Sequence, residues 1–133
     1  PLSRSSGSGR ILIIDDERAM RVTAETILEN AGYEVIIAED GKVGLELFRQ
    51  QSDHINLVLL DMIMPEMNGR DCFTEMKKIN PDVAVILASG FTQEEDLNDM
   101  KEKGLLGFIR KPFRSSALRQ AVAAALVKTN SGS

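Results

Sequence analysis

The sequence predicts an α/β fold: a three-layer, doubly wound sandwich with a five-stranded parallel sheet and five helices. Five short apolar runs alternate along the chain with five segments whose apolar residues recur at helical spacing. The runs at residues 11–14, 57–60 and 83–88 are apolar throughout, as expected of strands that are covered on both faces. Short loops between the elements imply right-handed crossovers, and therefore parallel strands, in one domain.

The first strand is predicted at residues 11–14, an unbroken run of isoleucine and leucine. Residues 17–30 follow with helical periodicity, and Gly32 ends this helix as a C-terminal glycine. Residues 33–38 form the second predicted strand. Asp40-Gly41 then opens a second helix.

The third strand is predicted at residues 57–60, again a wholly apolar run. A loop at residues 65–69, marked by proline and glycine, leads into a third helix that ends near Ile79. Pro81 separates this helix from the fourth predicted strand, residues 83–88.

The last part of the chain adds one more strand between two helices. Thr92, with Glu95 three residues later, predicts a capping box that starts a polar fourth helix. That helix stops at Gly104, and residues 105–109 form the fifth predicted strand. Residues 115–127 form the fifth helix.

Composition bounds the classes of function. The 133 residues fit one domain, and the 43% hydrophobic content is enough for a core. The net charge of −4 argues against a nucleic-acid binder, which would carry a basic surplus on one face. No apolar run approaches the roughly 20 residues needed to span a bilayer. Cys72 is the only cysteine, which excludes an internal disulfide and predicts a buried structural thiol.

The two ends of the sequence differ in composition from the middle. Residues 1–9 are rich in serine and glycine and lack the apolar stretch of a signal peptide, so we expect a tag or linker remnant there. We expect the domain at residues 10–128 and a C-terminal tail at residues 129–133. Without a signal peptide or spanning segment, the expected location is the cytoplasm.

Polar side chains follow four of the five predicted strands. In open α/β sheets, ligands bind beyond the carboxyl ends of the strands. The residues expected at that edge are Asp15, Asp16, Asp61, Ser89 and Lys111.

Together these residues predict a cation-dependent phosphate site. Three carboxylates at one edge repel one another or bind a cation, and their oxygens favour Mg²⁺, for which Mn²⁺ can substitute. Such a cation can hold phosphate oxygens beside a carboxylate nucleophile, while Lys111 and Ser89 complete the neutralisation of charge. Asp61, which stands apart from the adjacent pair, is the expected nucleophile.

Each residue also has an ordinary structural explanation when taken alone. Asp15-Asp16-Glu17 is typical of a helix N-terminus, where the macrodipole favours carboxylates. Asp61 at a strand end is a common turn former, and Lys111-Pro112 alone indicates little. The joint placement at strand ends is what favours the functional interpretation.

Four motifs contain these strand ends. They are ILIIDDE at residues 11–17, LLDMIMPEMNG at 59–69, ASG at 88–90 and FIRKPF at 108–113. In this order they resemble the receiver domain of bacterial two-component response regulators. The resemblance runs from about Arg10 to Lys128 and implies the flavodoxin-like strand order 2-1-3-4-5.

The resemblance implies that Asp61 accepts a phosphoryl group from the phosphohistidine of a sensor histidine kinase or phosphotransfer domain. Asp15, Asp16 and Asp61 would hold Mg²⁺ together with the main-chain carbonyl of Ile63. The chain would then be a signalling domain with autocatalytic phosphotransfer and dephosphorylation, not an enzyme in the usual sense.

The resemblance also implies a switch. Ser89 would turn toward the new phosphate, Lys111 would pair with it, and Phe108 would swing inward. The Lys111-Pro112 bond would be cis. The face formed by the fourth helix, fifth strand and fifth helix would transmit the change to an output domain or to a second copy of the chain.

Two apolar residues lie where, in this family, side chains tune dephosphorylation. Ile63 follows Asp61 by two residues and Phe91 follows Ser89 by two. Because neither can orient water, we hypothesise a longer-lived phosphate than in relatives with polar groups there. His54, ahead of the third strand, is not expected to be functional.

Two other classes share parts of this pattern. A haloacid-dehalogenase-type phosphatase needs a second aspartate two residues after the nucleophile, where this chain has Ile63. A flavodoxin-type FMN carrier needs a Ser/Thr/Gly-rich phosphate loop after the first strand, where this chain has Asp15-Asp16-Glu17.

Within the receiver interpretation, a stand-alone domain and one excised from a larger protein remain open. The stretch LASGF at residues 87–91 favours a hybrid sensor kinase.

Overall fold

The computed structural model describes residues 9–131, which contain five strands, five α-helices and one short 3₁₀ helix. The strands are β1 (Arg10–Ile14), β2 (Glu34–Ala38), β3 (Leu57–Asp61), β4 (Val85–Ser89) and β5 (Gly107–Arg110). The helices are α1 (Arg18–Asn30), α2 (Gly41–Gln51), α3 (Gly69–Ile79), α4 (Glu94–Glu102) and α5 (Ser115–Ser131). The 3₁₀ helix, Ser52–His54, joins α2 to the loop before β3.

The sheet has the predicted order, β2-β1-β3-β4-β5, and every neighbouring pair is parallel. The register places the strand ends beside one another: Ile14 pairs with Leu60, and Asp61 pairs with Ala88. One residue further, Ser89 pairs with Arg110. The polar residues that follow the strands therefore meet at one edge of the sheet.

Two apolar cores cover the sheet, one on each face. Alternate residues of β1 point to opposite faces, so Leu12 and Ile14 join one core while Ile11 and Ile13 join the other. Helices α2, α3 and α4 contribute to the first core, and α1 and α5 contribute to the second. The unbroken apolar runs thus have the predicted cause, which is burial on both faces.

Cys72 lies on α3 in the first core and is fully buried, as predicted. Desolvation by burial raises the pKa of its thiol to about 12, and the charge of Glu75 adds to that effect. A thiol held protonated in this way is chemically inert at neutral pH. Cys72 is therefore a packing residue.

Helix α4 corrects one prediction. The capping box at Thr92 and Glu95 is wrong, because the N-cap of α4 is Gln93, and that residue makes no side-chain cap hydrogen bond. The Thr92 hydroxyl is instead buried and without a partner among residues 9–131. The helix start is displaced because the preceding loop is folded onto the Ser89 hydroxyl. Three acidic residues in the first turn still interact favourably with the helix dipole.

The C-terminal helix is longer than its apolar pattern predicts. Helix α5 continues beyond Val127 to Ser131, so the expected tail at residues 129–133 begins as helix. The Thr129 hydroxyl donates to the carbonyl of Leu126 at 2.9 Å. The spacing of apolar residues cannot predict a local bond of this kind. The tag or linker remnant expected at the N-terminus falls outside the described residues, apart from Gly9.

None of the helices within residues 9–131 combines the length and apolar character needed to cross a membrane.

Candidate functional site

Three carboxylates converge beyond the carboxyl ends of β1 and β3, as the register of these strands requires. Each of Asp15, Asp16 and Asp61 offers one oxygen, and these oxygens all lie within 4.8 Å of one another. Asp15 and Asp61 are buried, with 5% and 6% of their surface exposed, while Asp16 is exposed. The site is thus a partly buried acidic cluster that is open on the side of Asp16.

Lys111 closes the cluster from the loop after β5. Its Nζ lies 2.6 Å from Asp15 Oδ2 and 3.0 Å from Asp61 Oδ1. Its main-chain N–H donates to the Ser89 carbonyl at 2.9 Å, which continues the pairing of β4 with β5. The Lys111-Pro112 peptide bond is cis, as predicted. One ammonium group therefore serves two buried carboxylates.

The electrostatics of the cluster leave an excess of negative charge. Desolvation by burial raises the pKa of Asp61 to about 6 from its ordinary 3.8, against the hydrogen bond from Lys111, and the charges of Asp15 and Asp16 raise it further. Burial by itself lowers the pKa of Lys111, but the hydrogen bonds to Asp15 and Asp61 outweigh burial and leave that pKa raised. Lys111 thus stays cationic without balancing the three acids.

This donor set fits a hard divalent cation. Carboxylate oxygens are the ligands that such cations prefer, and three acids facing one lysine lower their mutual repulsion by binding one. Neither Asp15 nor Asp16 is the N-cap of α1; that residue is Glu17, and its side chain makes no cap hydrogen bond. Capping of helix α1 therefore does not explain why acidic residues stand at positions 15 and 16.

The backbone around Asp61 depends on close approach of α3. A Cβ added at Gly69 would collide with the Asp61 carbonyl oxygen and lie 2.8 Å from the Met62 Cα. The Gly69 N–H donates to the Met62 carbonyl at 2.7 Å, and Asn68 caps the helix by accepting from the Asp71 N–H. The start of α3 is therefore held directly against the strand end that carries Asp61.

Ser89 lies at this edge but is bonded to its own loop. Its buried hydroxyl donates to the Phe91 carbonyl at 2.7 Å and accepts from the Phe91 N–H at 3.2 Å. Within residues 9–131 it makes no hydrogen bond to the carboxylates. Phe108, on β5, is half-buried and packs against the core beneath α4. The structure thus brings together the acids and the lysine, while Ser89 stands beside them.

Two large apolar side chains are exposed near the site, and one of them, Ile63, lines the cleft above it. Ile63 and Phe91 are each 66% exposed. A surface cleft of about 460 Å³ opens over the cluster, with Asp16, Asp61, Ile63 and Lys111 in its lining.

His54 lies on the 3₁₀ helix before β3, at the amino end of the strand and so away from the acidic edge.

Arg21 also contacts the site, although no sequence motif indicates it. Its Nη1 donates to the main-chain carbonyl of Asp15 at 2.9 Å. The one signal available was an arginine in the first turn of the helix after the acidic run, and spacing alone does not show where such a side chain bonds.

Comparison with known proteins places the whole sheet in one family. The family model "Response regulator receiver domain" matches residues 11–123. Chemotaxis protein CheY of Thermotoga maritima is 36% identical over 114 residues, which are 85% of this chain and 93% of that protein. A receiver domain structure from Clostridium thermocellum is similar with a TM-score of 0.88 and 31% identity, covering 94% of this chain and 99% of that one.

Longer relatives contain the same unit. Sensor kinase CckA of Brucella abortus is 32% identical over 123 residues, which are 92% of this chain but 13% of that kinase. This chain therefore corresponds to a small part of that relative and to nearly all of the CheY protein. With the strand order, the acidic cluster and the family match in agreement, the chain belongs to the response regulator receiver domain family, the CheY-like receivers of two-component systems.

Proposed function

We propose that Asp61 is the phosphoacceptor of this receiver domain and takes its phosphoryl group from a phosphohistidine of a sensor histidine kinase or phosphotransfer domain. The observation that carries the proposal is the position of Asp61. It is a buried carboxylate with one oxygen on Lys111, two further acids beside it, and an open cleft above. Neither Asp15 nor Asp16 combines that burial with a place in the lining of the cleft.

The transfer forms one bond and breaks another. A carboxylate oxygen of Asp61 attacks phosphorus, the P–N bond of the donor breaks, and its electron pair stays on the imidazole nitrogen. Lys111 balances charge on the transferred group, since its Nζ already contacts the acceptor carboxylate. The Ser89 hydroxyl supplies a further hydrogen bond once it leaves the Phe91 carbonyl.

Mg²⁺ is the cation that we assign to the acidic cluster, with Mn²⁺ as a substitute. Asp15, Asp16, Asp61 and the main-chain carbonyl of Ile63 would hold it. When bound, it supplies positive charge against the phosphate oxygens. Asp15 and Asp16 keep that charge next to the acceptor, and the burial of Asp15 limits the water around it.

Phosphorylation would be read on the face formed by α4, β5 and α5. The Ser89 loop leads directly into α4, and Phe108 packs against the same core as Met100 of that helix. Movement of Ser89 would release the loop and let Phe108 turn inward. An output domain or a second copy of the chain would bind the altered face.

The setting follows from the chemistry of the donor. Kinases draw phosphoryl groups from ATP, so the location that we propose for the domain is the cytoplasm. Similarity to part of a sensor kinase and to a whole CheY supports either a domain of a hybrid kinase or a stand-alone receiver. In both, the domain is a signalling module that catalyses its own phosphotransfer and dephosphorylation.

The proposal is tested by exposing the protein to acetyl phosphate with and without Mg²⁺ and measuring its intact mass. We expect a gain of one phosphoryl group that requires Mg²⁺ and is absent in Asp61→Asn. Asp53→Asn, an exposed position on the 3₁₀ helix, is the matched control and should be labelled normally. Normal labelling of Asp61→Asn would contradict the assignment.

A further inference from the structure

Arg21 reaches the acidic cluster from α1, although it is not one of the family motif residues identified in the sequence. We propose that Arg21 is a positioning residue, which holds the Asp15–Asp16 peptide and thereby orients two of the three carboxylates for cation binding. The inference rests on the proposed Mg²⁺-dependent function and concerns what prepares the site before the cation arrives.

Every polar atom of Asp15 is engaged, and Arg21 supplies one of the four contacts. The N–H donates to the Ala38 carbonyl at 3.2 Å, Oδ1 accepts from the Glu17 N–H at 2.9 Å, and Oδ2 contacts Lys111 at 2.6 Å. The carbonyl oxygen accepts from Arg21 at 2.9 Å. Asp15 is therefore held from the sheet, from its own turn, from the loop after β5 and from α1.

The Arg21 contact also bears on Asp16. The carbonyl of Asp15 and the N–H of Asp16 belong to one planar peptide unit, so fixing the carbonyl fixes the plane from which Asp16 departs. Asp16 is exposed, and its carboxylate makes no hydrogen bond within the described part of the chain. With no side-chain bond of its own, the Asp16 carboxylate starts from a position set by the backbone, and Arg21 is a side chain that bonds directly to the peptide preceding Asp16.

Arg21 is itself held in place. Its backbone N–H donates to the Glu17 carbonyl at 3.1 Å in the first turn of α1. Its half-buried side chain lies along the end of β2, where it lines a cleft of about 190 Å³ with Ile37 and Val43. A guanidinium whose stem is packed in this way loses little freedom when it donates.

A purely electrostatic effect of Arg21 would have the opposite sign. A cationic side chain near three carboxylates repels an incoming cation, so removing only its charge strengthens Mg²⁺ binding. Removing a positioning contact weakens Mg²⁺ binding because the carboxylates must then be ordered by the cation itself. Outer contacts of this kind typically change metal affinity by roughly 10-fold or more.

The experiment compares Arg21→Met with Arg18→Met. Arg18 is exposed on the same helix turn and donates no hydrogen bond within residues 9–131, so its loss removes the same charge without the Asp15 contact. Mg²⁺ affinity is measured by calorimetric titration at constant ionic strength, and Tm is measured in EDTA. In the metal-free protein, NMR reports hydrogen exchange of the Glu17 amide, which bonds to Asp15 Oδ1.

We expect Arg21→Met to raise the Kd for Mg²⁺ by roughly 10-fold and to speed Glu17 amide exchange, with little change in Tm. Arg18→Met should leave the Kd unchanged or slightly lower. Arg21→Lys, which keeps the charge and can donate one hydrogen bond, should recover part of the affinity even if Arg21→Met folds poorly.

Two results would overturn the inference. If the unaltered protein binds Mg²⁺ and Arg21→Met and Arg21→Lys bind it equally well or better, Arg21 has no positioning role, while the proposed function stands. If the unaltered protein does not bind Mg²⁺, the metal site fails, and the positioning role fails with it.

Discussion

Helices α3 and α4 follow strands that end in Asp61 and Ser89, but the protein holds these two helices by different means. Helix α3 buries Gly69, Cys72, Phe73 and Met76 against the sheet. Helix α4, which the structure describes in full, buries Met100 alone. The helix beside the acceptor is thus anchored by apolar burial, and the helix after Ser89 has little of it.

Two ion pairs also link α4 to α3. Arg70 of α3 contacts Asp96 at 2.8 Å and Asp99 at 2.7 Å, both on α4, and at the end of α4 itself Lys103 contacts Asp99 at 3.2 Å. These side chains are between about a third and three-fifths exposed, so salt screens the pairs and they add little stability.

Helices α3 and α4 differ in how firmly they are fixed to the sheet. Carboxylates behave differently in the two regions: burial raises the pKa of Asp61, whereas hydrogen bonds from Lys103 and Arg70 lower the pKa of Asp99. The Asp61 carboxylate beside α3 is thus desolvated, whereas the Asp99 carboxylate on α4 is solvated and ion-paired. We expect phosphorylation to move α4 and its loop while α3 keeps Asp61 in place.

The largest loss of stability should come from a large-to-small substitution in the core beneath α3. Phe73 is 1% exposed, so Phe73→Ala should lower the free energy of unfolding by about 3–5 kcal/mol, as measured by urea denaturation. Leu97→Ala, at a half-buried position on α4, should cost clearly less. Equal losses in the two variants would remove the contrast between the helices.

Neutralising Asp61 should have an intermediate effect of opposite sign. Folding raises the pKa of Asp61 from 3.8 to about 6, so the folded protein holds this proton more tightly than the unfolded chain. Stability therefore falls as pH rises from about 4 to 6 and stays lower above that range. In EDTA, Asp61→Asn should stabilise the protein by about 1–3 kcal/mol at pH 8 and by almost nothing near pH 4.

The pH profile provides the check on that prediction. Urea denaturation at several pH values should show the gap between Asp61→Asn and the unaltered protein opening between about pH 4 and 6. Asp53→Asn, an exposed carboxylate, should show no such gap. Added Mg²⁺ should narrow the gap, because the cation relieves the charge that the substitution removes. A gap independent of pH would contradict the electrostatic explanation.

The smallest effect on stability should follow loss of the α3–α4 ion pairs. Arg70→Met should lower Tm by about 2 °C or less, and the difference should shrink in high salt. Amide exchange in α4 should nevertheless become several-fold faster, while exchange in α3 stays unchanged. Arg49→Met, which breaks the pair with Glu46 inside α2, is the control. Unchanged exchange in α4 would show that apolar packing, and not the ion pairs, holds this helix.

Much of the site was predictable because the rules for parallel sheets are simple. Apolar runs mark the strands, and residues that follow them must share one edge. On that basis the sequence predicts that Asp15, Asp61 and Lys111 lie together, and the structure joins them by direct contacts. The capping box at Thr92 failed because local spacing does not register the Ser89 hydroxyl that folds the preceding loop.

The sequence by itself determined the alternation of elements, the double-sided burial of the inner strands β1, β3 and β4, and the edge at which the acids lie, because these follow from periodicity and crossover handedness. The tertiary structure alone decided which side chains touch. Lys111 lies between carboxylates 96 and 50 residues away, and Arg21 bonds a backbone carbonyl rather than an acid. Such contacts depend on how helices and loops settle against the sheet, at distances that no spacing along the chain specifies.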